Sequence, residues 1–65
     1  MSEDKLLTAS QAAEIMNVHP STVRRLVRAG DLARVRIGIR EYRIRYGEIT
    51  RFIKENESRA NPYNS

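Results

Sequence analysis

The sequence predicts a mostly α fold with a small β-hairpin: two short helices joined by a tight corner, a two-stranded hairpin, and a C-terminal helix. Three observations carry that prediction. Residues 8–30, TASQAAEIMNVHPSTVRRLVRAG, hold helix start and stop signals at both ends of two successive apolar stripes. Residues 33–37 and 42–46 then alternate apolar and arginine with a period of two. A last segment from Gly47 to Glu57 returns to helical spacing, with Ile49, Phe52 and Ile53 on one face.

The first helix starts at Thr8. Gln11 stands three residues on, the spacing of a capping box in which hydroxyl and amide side chain each satisfy the other's backbone N–H. Ala12, Ala13, Ile15 and Met16 give a small apolar face, and Ala13 lies where a steep helix crossing tolerates no side chain larger than a methyl. Asn17 falls at the corner, where the chain turns with positive φ, a conformation Asn tolerates better than most residues. Val18 is expected to bury itself under the turn.

The second helix starts near Pro20, favoured at the first helical position because its missing N–H has no helical partner in any case. His19 is the expected cap. Val23, Leu26 and Val27 form the buried stripe, and Gly30 closes the helix in the left-handed region. Pro20, Ser21, Arg24, Arg25 and Arg28 then point outward. This is the form of a helix-turn-helix, whose second helix enters the DNA major groove. Arginine suits such a face because its planar fork pairs with guanine O6 and N7 or clamps a phosphate. The candidate contacts on this helix are therefore Pro20, Ser21, Thr22, Arg24, Arg25 and Arg28, and the sequence leaves open which arginine meets a base edge.

In the hairpin, Gly38-Ile39-Arg40-Glu41 reads as the turn. Strict alternation would put Val35, Ile37, Tyr42 and Ile44 toward the helices and Arg34, Arg36, Arg43 and Arg45 on the opposite face. Beside a helix-turn-helix such a hairpin is a wing, whose loop or arginine face lies along phosphates or dips into the minor groove. Arg34, Arg36, Arg40 and Arg43 are its candidate DNA contacts, with Arg40 at the tip foremost. Ion pairs of some strand arginines with Glu48 or Asp31 are also expected. After the third helix, SRANPYNS has turn and disorder composition, and Tyr63 is its one side chain suited to anchoring on a neighbour. The expected organisation is a flexible N-terminus over 1–5, one domain over 6–57, and a flexible tail over 58–65.

Charge agrees with the motif. The chain carries +4 overall in 65 residues, but residues 19–46 hold eight arginines against Asp31 and Glu41, a local +6. The first eighteen residues are net acidic and the last nineteen balanced. One basic surface facing a polyanion gives that distribution. There is no cysteine and one histidine, so disulfides, thiolate metal sites and a zinc site are not expected, and neither is any cofactor. MSEDKLL is acidic and lacks the apolar run of a signal peptide, and no segment is long enough to span a membrane, so a reducing cytosol is the expected compartment. No catalytic constellation is present: His19 and Ser21 lie close in sequence without an acid to orient them and read as helix-start residues.

The run LLTASQAAEIMNVHPSTVRRLVRAGDLARVRIGIREYRIRYGEITRFI, residues 6–53, resembles the excisionase-type branch of the MerR-like winged-helix superfamily. The resemblance rests on the opening LLT, the AA before the corner, STV followed by RLVRAGDL, the strand VRIG, and YRI before the last helix. Two positions depart from it: Asn17 stands for the family's commonest corner Gly, and Gly47 for the usual Ser or Asp cap of the last helix, a place where Gly is acceptable. The resemblance implies a winged helix-turn-helix that binds DNA, no enzyme activity, and one of two roles. The first is an excisionase, or recombination directionality factor, that binds adjacent sites cooperatively, bends DNA and works with a tyrosine integrase, as in temperate phages. The second is a small MerR-like transcriptional regulator binding promoter repeats. MerR-type activators add a long dimerisation helix and an effector domain, which this sequence does not contain, so effector sensing is not expected. Head-to-tail self-association on DNA, open to filament formation, is the expected way for so small a domain to gain affinity, with the acidic Glu3, Asp4 and Glu14 meeting the basic wing of the next copy.

Overall fold

The computed structural model describes Ser2 and residues 4–57. In chain order the elements are β1 (Leu6–Leu7), α1 (Ala9–Met16), α2 (Pro20–Ala29), β2 (Val35–Arg36), β3 (Tyr42–Arg45) and α3 (Tyr46–Glu55). Three helices thus accompany a small antiparallel sheet of order β1-β3-β2, with α1 and α3 packed on its strands and α2 packed on α1. The expected anchor Tyr63, the tail, and Glu3 lie outside the described residues.

The helix-turn-helix forms as its local signals require. Thr8 Oγ1 accepts from the Gln11 N–H at 3.1 Å while Gln11 Oε1 accepts from the Thr8 N–H at 2.9 Å, completing the capping box of α1. Asn17 ends α1 at φ 60°, ψ 45°, and the next N–H, of Val18, reaches back to the Ala13 carbonyl at 3.0 Å. His19 caps α2, its Nδ1 accepting from the Ser21 N–H at 3.0 Å and lying 2.9 Å from the Ser21 hydroxyl. With Nδ1 accepting there, the neutral ring carries its proton on Nε2. Gly30 ends α2 at φ 88°, ψ 6°, and the Asp31 N–H closes the end on the Leu26 carbonyl at 2.9 Å.

Among the described residues, eight apolar ones form the core: Leu7, Ala12, Ala13, Val23, Val27, Leu32, Ile44 and Ile49. Ala12 and Ala13 lie between α1 and its neighbours, which is what lets α2 pack close against α1. Ile15 and Val18 do not join this core and are exposed, so Val18 is not buried beneath the corner. Leu26 and Phe52 pack half-buried on its edge, and Ile53 is exposed, leaving Ile49 as the fully buried residue of α3. Leu32, just past the α2 terminus, is fully buried in the core.

The sheet departs from expectation in three ways. It has a third strand, because Leu6 pairs with Arg45 and Leu7 with Ile44. The hairpin strands are shorter than 33–37 and 42–46, since regular pairing ends at Val35↔Arg43 and Arg36↔Tyr42. Beyond Arg36 the chain turns away, with Ile37 and Gly38 both donating to the Glu41 carbonyl, and Ile37 is exposed rather than packed on the helices. The third difference is register. Paired residues place their side chains on the same face, and the loop between Arg36 and Tyr42 holds an odd number of residues. Arg36, and Arg34 two residues before it, therefore share a face with Tyr42 and Ile44, while Val35 shares the other with Arg43 and Arg45. The four arginines are split between faces, not collected on one.

Helix α3 begins at Tyr46 rather than after a Gly47 cap, directly out of β3. Its N-cap, Arg45, makes no side-chain capping bond. The Tyr46 N–H instead donates to the Lys5 carbonyl at 2.8 Å, so the added strand does the work of the missing cap. Glu48 lies in the first turn, where the helix dipole favours an anion.

Candidate nucleic-acid interface

Helix α2 sets the centre of the interface. With Val23 and Val27 buried, 3.6-residue geometry turns Ser21, Arg24, Arg25 and Arg28 outward, and all four are exposed. Arg24 and Arg28 lie one turn apart on the side toward the hairpin, and Arg25 lies about 100° further round. Pro20 and Thr22 are half-buried, and Thr22 spends its N–H on the His19 carbonyl in the first turn. They are placed as helix-start residues beside the exposed face.

The hairpin meets α2 across two shallow, open clefts. One is lined by Arg24, Val27, Arg28, Arg34 and Tyr42. The other joins Arg24 to Arg40, Glu41, Tyr42 and Arg43 and to Thr8, Ala9 and Ser10 at the start of α1. The odd-residue loop accounts for Arg34 in the first cleft: it puts Arg34 on the face of Tyr42, and the Arg34 guanidinium carbon stands 5.8 Å from the centre of the Tyr42 ring. That distance is within cation–π reach. A third hollow, lined by Arg34, Arg36, Ile39, Arg40 and Tyr42, continues the same basic surface toward the hairpin tip.

The remaining candidates have different surroundings. Arg43 is half-buried and turns its Nη1 onto the Tyr42 carbonyl at 2.9 Å, so part of its donor capacity is used within the hairpin. Arg36 donates to the Ile39 carbonyl at 3.3 Å, bracing the tip. Arg45, on the opposite face, pairs with Asp4 at 3.5 Å in the open. Asp4 thus meets a basic strand of its own chain.

The ion pairs of the molecule lie away from the clefts between α2 and the hairpin. Among the described residues the ion pairs are Asp4–Arg45, Glu48–Arg51 and Arg51–Glu55. None of these takes in Arg24, Arg25, Arg28, Arg34, Arg36, Arg40 or Arg43. Glu48, expected to pair with a strand arginine, binds Arg51 one turn along α3 and also accepts from the Ala33 N–H at 2.9 Å. Its hydrogen bond to Arg51 is the main cause that holds its carboxyl below the usual range; the Ala33 N–H and the Arg51 charge add to this, and partial burial opposes it. Asp31 pairs with no arginine among the described residues. The Glu48–Arg51 pair has the local i,i+3 spacing of a helix, whereas the Ala33–Glu48 bond joins positions fifteen apart and has no local signal.

Among the described residues no helix is long and apolar enough to cross a membrane. His19 and Ser21 contact each other as parts of the α2 cap, which accounts for their proximity. In comparisons with known proteins, no curated protein and no solved structure matches the chain. A family model described as a helix-turn-helix domain matches residues 6–57, from β1 to just past the end of α3. The chain belongs to this helix-turn-helix domain family, a family of DNA-binding domains.

Proposed function

We propose that this protein is an architectural DNA-binding protein that binds neighbouring sites cooperatively, bends the duplex, and acts as an excisionase or recombination directionality factor beside a tyrosine integrase. The observation that carries the DNA contact is the basic surface made jointly by α2 and the hairpin, in which Arg24, Arg28 and Arg34 line one cleft. Helix α2 lies in the major groove with Ser21, Arg24, Arg25 and Arg28 toward the bases and flanking phosphates. The hairpin acts as a wing, carrying Arg34, Arg36 and Arg40 to the backbone and the adjacent minor groove, with Arg43 at the cleft beside α1. Arginines in a narrow minor groove meet enhanced negative potential, which suits a protein that bends its site.

The excisionase role is supported by the resemblance of residues 6–53 to that branch of the MerR-like winged helices. In this role the integrase performs the strand chemistry and the small protein supplies phosphate neutralisation, curvature and alignment of neighbouring copies. Copies assemble head to tail on DNA, an arrangement that does not close on itself.

The test is a gel-mobility titration onto a duplex carrying the element's attachment site, with and without the integrase. A cooperative ladder and a further shift with integrase are expected. Binding confined to a promoter repeat, with no effect on the integrase complex, would instead assign the MerR-like regulator role.

A further inference from the structure

The hairpin tip has a chemistry that phosphate binding does not use. Ile39 is 89% exposed and Ile37 51%, the two most exposed large apolar residues among those described. Both lie in the loop between β2 and β3, and neither is needed by the core. The tip is not slack: Ile37 and Gly38 donate to the Glu41 carbonyl at 2.9 and 3.2 Å, and Arg36 holds the Ile39 carbonyl. Ile39 also shares a hollow with Arg34, Arg36, Arg40 and Tyr42, so an apolar point stands beside three cations.

A lone exposed isoleucine on an ordinary surface calls for no explanation. An isoleucine held at the tip of a braced loop and flanked by arginines suits an apolar slot bordered by negative charge. An acidic protein surface and the DNA minor groove both border apolar contacts with negative charge, and the chain's membership of a DNA-binding family favours the groove. The minor groove supplies both, because its walls are phosphates and an opened base step presents the apolar faces of the stacked bases. Proteins that kink DNA there insert Phe, Leu, Ile, Met or Pro at a base step and bend the duplex by roughly 20–90°.

We infer that Ile39 is a wedge that enters the minor groove and partly unstacks a base step, with Ile37 behind it and Arg36 and Arg40 on the phosphates to either side. The inference rests on the DNA-binding reading above and names the residue that produces the bend. Pyrimidine–purine steps, which unstack most easily, are the preferred point of entry.

The experiment uses a duplex selected by the full-length chain from a randomised pool, with 2-aminopurine placed in turn at its pyrimidine–purine steps and a donor–acceptor dye pair at its ends. Wild-type protein is expected to raise 2-aminopurine fluorescence at one step and to shorten the end-to-end distance. Ile39→Ala is expected to abolish the fluorescence rise and most of the bend, to lower affinity about tenfold, which corresponds to about 1.4 kcal/mol, and to melt as wild type does. Ile39→Met is expected to restore the signal. Unstacking and bending by Ile39→Ala equal to wild type would overturn the wedge while leaving DNA binding intact. Loss of cooperativity with unstacking retained would overturn it too, and assign Ile39 to contact with a neighbouring copy. Failure of the wild-type chain to select any duplex would bring down the DNA reading itself, and the wedge with it.

Discussion

Replacing Arg28 and Arg34 together by alanine tests the register of the hairpin as well as its role. These two side chains come from different elements and line one cleft, whereas Arg45 lies on the opposite face of β3 and already pairs with Asp4. Each phosphate contact releases condensed counterions and adds about 0.9 to the slope of log K against log salt. Removing two contacts is therefore expected to lower the slope by about 1.8. Between 50 and 200 mM salt each contact is worth a factor of about 3.5 in salt sensitivity, so the double variant loses about twelvefold of that sensitivity. Arg45→Ala is expected to leave the slope unchanged. Fluorescence anisotropy titrations of a labelled duplex at four or five salt concentrations measure all three. An equal loss of slope from Arg45→Ala, or none from the double variant, would refute the division of the arginines between faces.

The remaining predictions concern the scaffold that holds this surface. Thr8→Ala removes the hydroxyl that accepts from Gln11 and is expected to cost about 1 kcal/mol in chemical denaturation, with Thr8→Asp close to wild type. Gly30→Ala meets no neighbouring atom within 4 Å, so its expected cost of about 1–2 kcal/mol is that of a left-handed backbone alone, and Gly30→Asn is expected to cost less. Ile49→Ala, at a fully buried position, is expected to cost about 2–5 kcal/mol, a large part of the stability of so small a domain, and thermal melts followed by circular dichroism would register it. Glu48 has a carboxyl pKa lowered by folding, so its contribution is fully present above the ordinary carboxylate range and is lost as pH falls through the lowered value. Melting temperature is expected to drop on that acid limb, and Glu48→Gln to flatten it.

How much of this was legible in the sequence depended on how local the cause was. The capping box at Thr8, the left-handed Asn17, Pro20 after the His19 cap, and the Gly30 terminus each depend on residues within five positions, and each is found where its signal lies. The two-residue strand β1 has no period to read; it exists because Leu6 and Leu7 meet β3 some 40 positions later. That same pairing supplies the Lys5 carbonyl that starts α3 at Tyr46, which is why a cap sought at Gly47 was misplaced. Alternation identified both hairpin strands but could not fix which residues face together, because that depends on whether the loop between paired residues is odd or even. Leu32 was missed as a core residue for a related reason: a single leucine after a helix stop has no stripe to join until the fold surrounds it.

For the candidate site, the exposure of Arg24, Arg25 and Arg28 followed from the buried Val23 and Val27. The grouping of Arg34 with α2, the curled Arg43 and the Arg45–Asp4 pair did not, since each is set by register or by a distant partner.

The central claim is that α2 and the hairpin make one DNA-binding surface. An NMR titration of the uniformly 15N-labelled chain with a selected duplex tests it most directly. Amide shifts are expected to concentrate in residues 20–28 and 34–43, with the outer face of α3, residues 51–55, little changed. Shifts centred on α3, or on α2 with the hairpin unmoved, would contradict the claim.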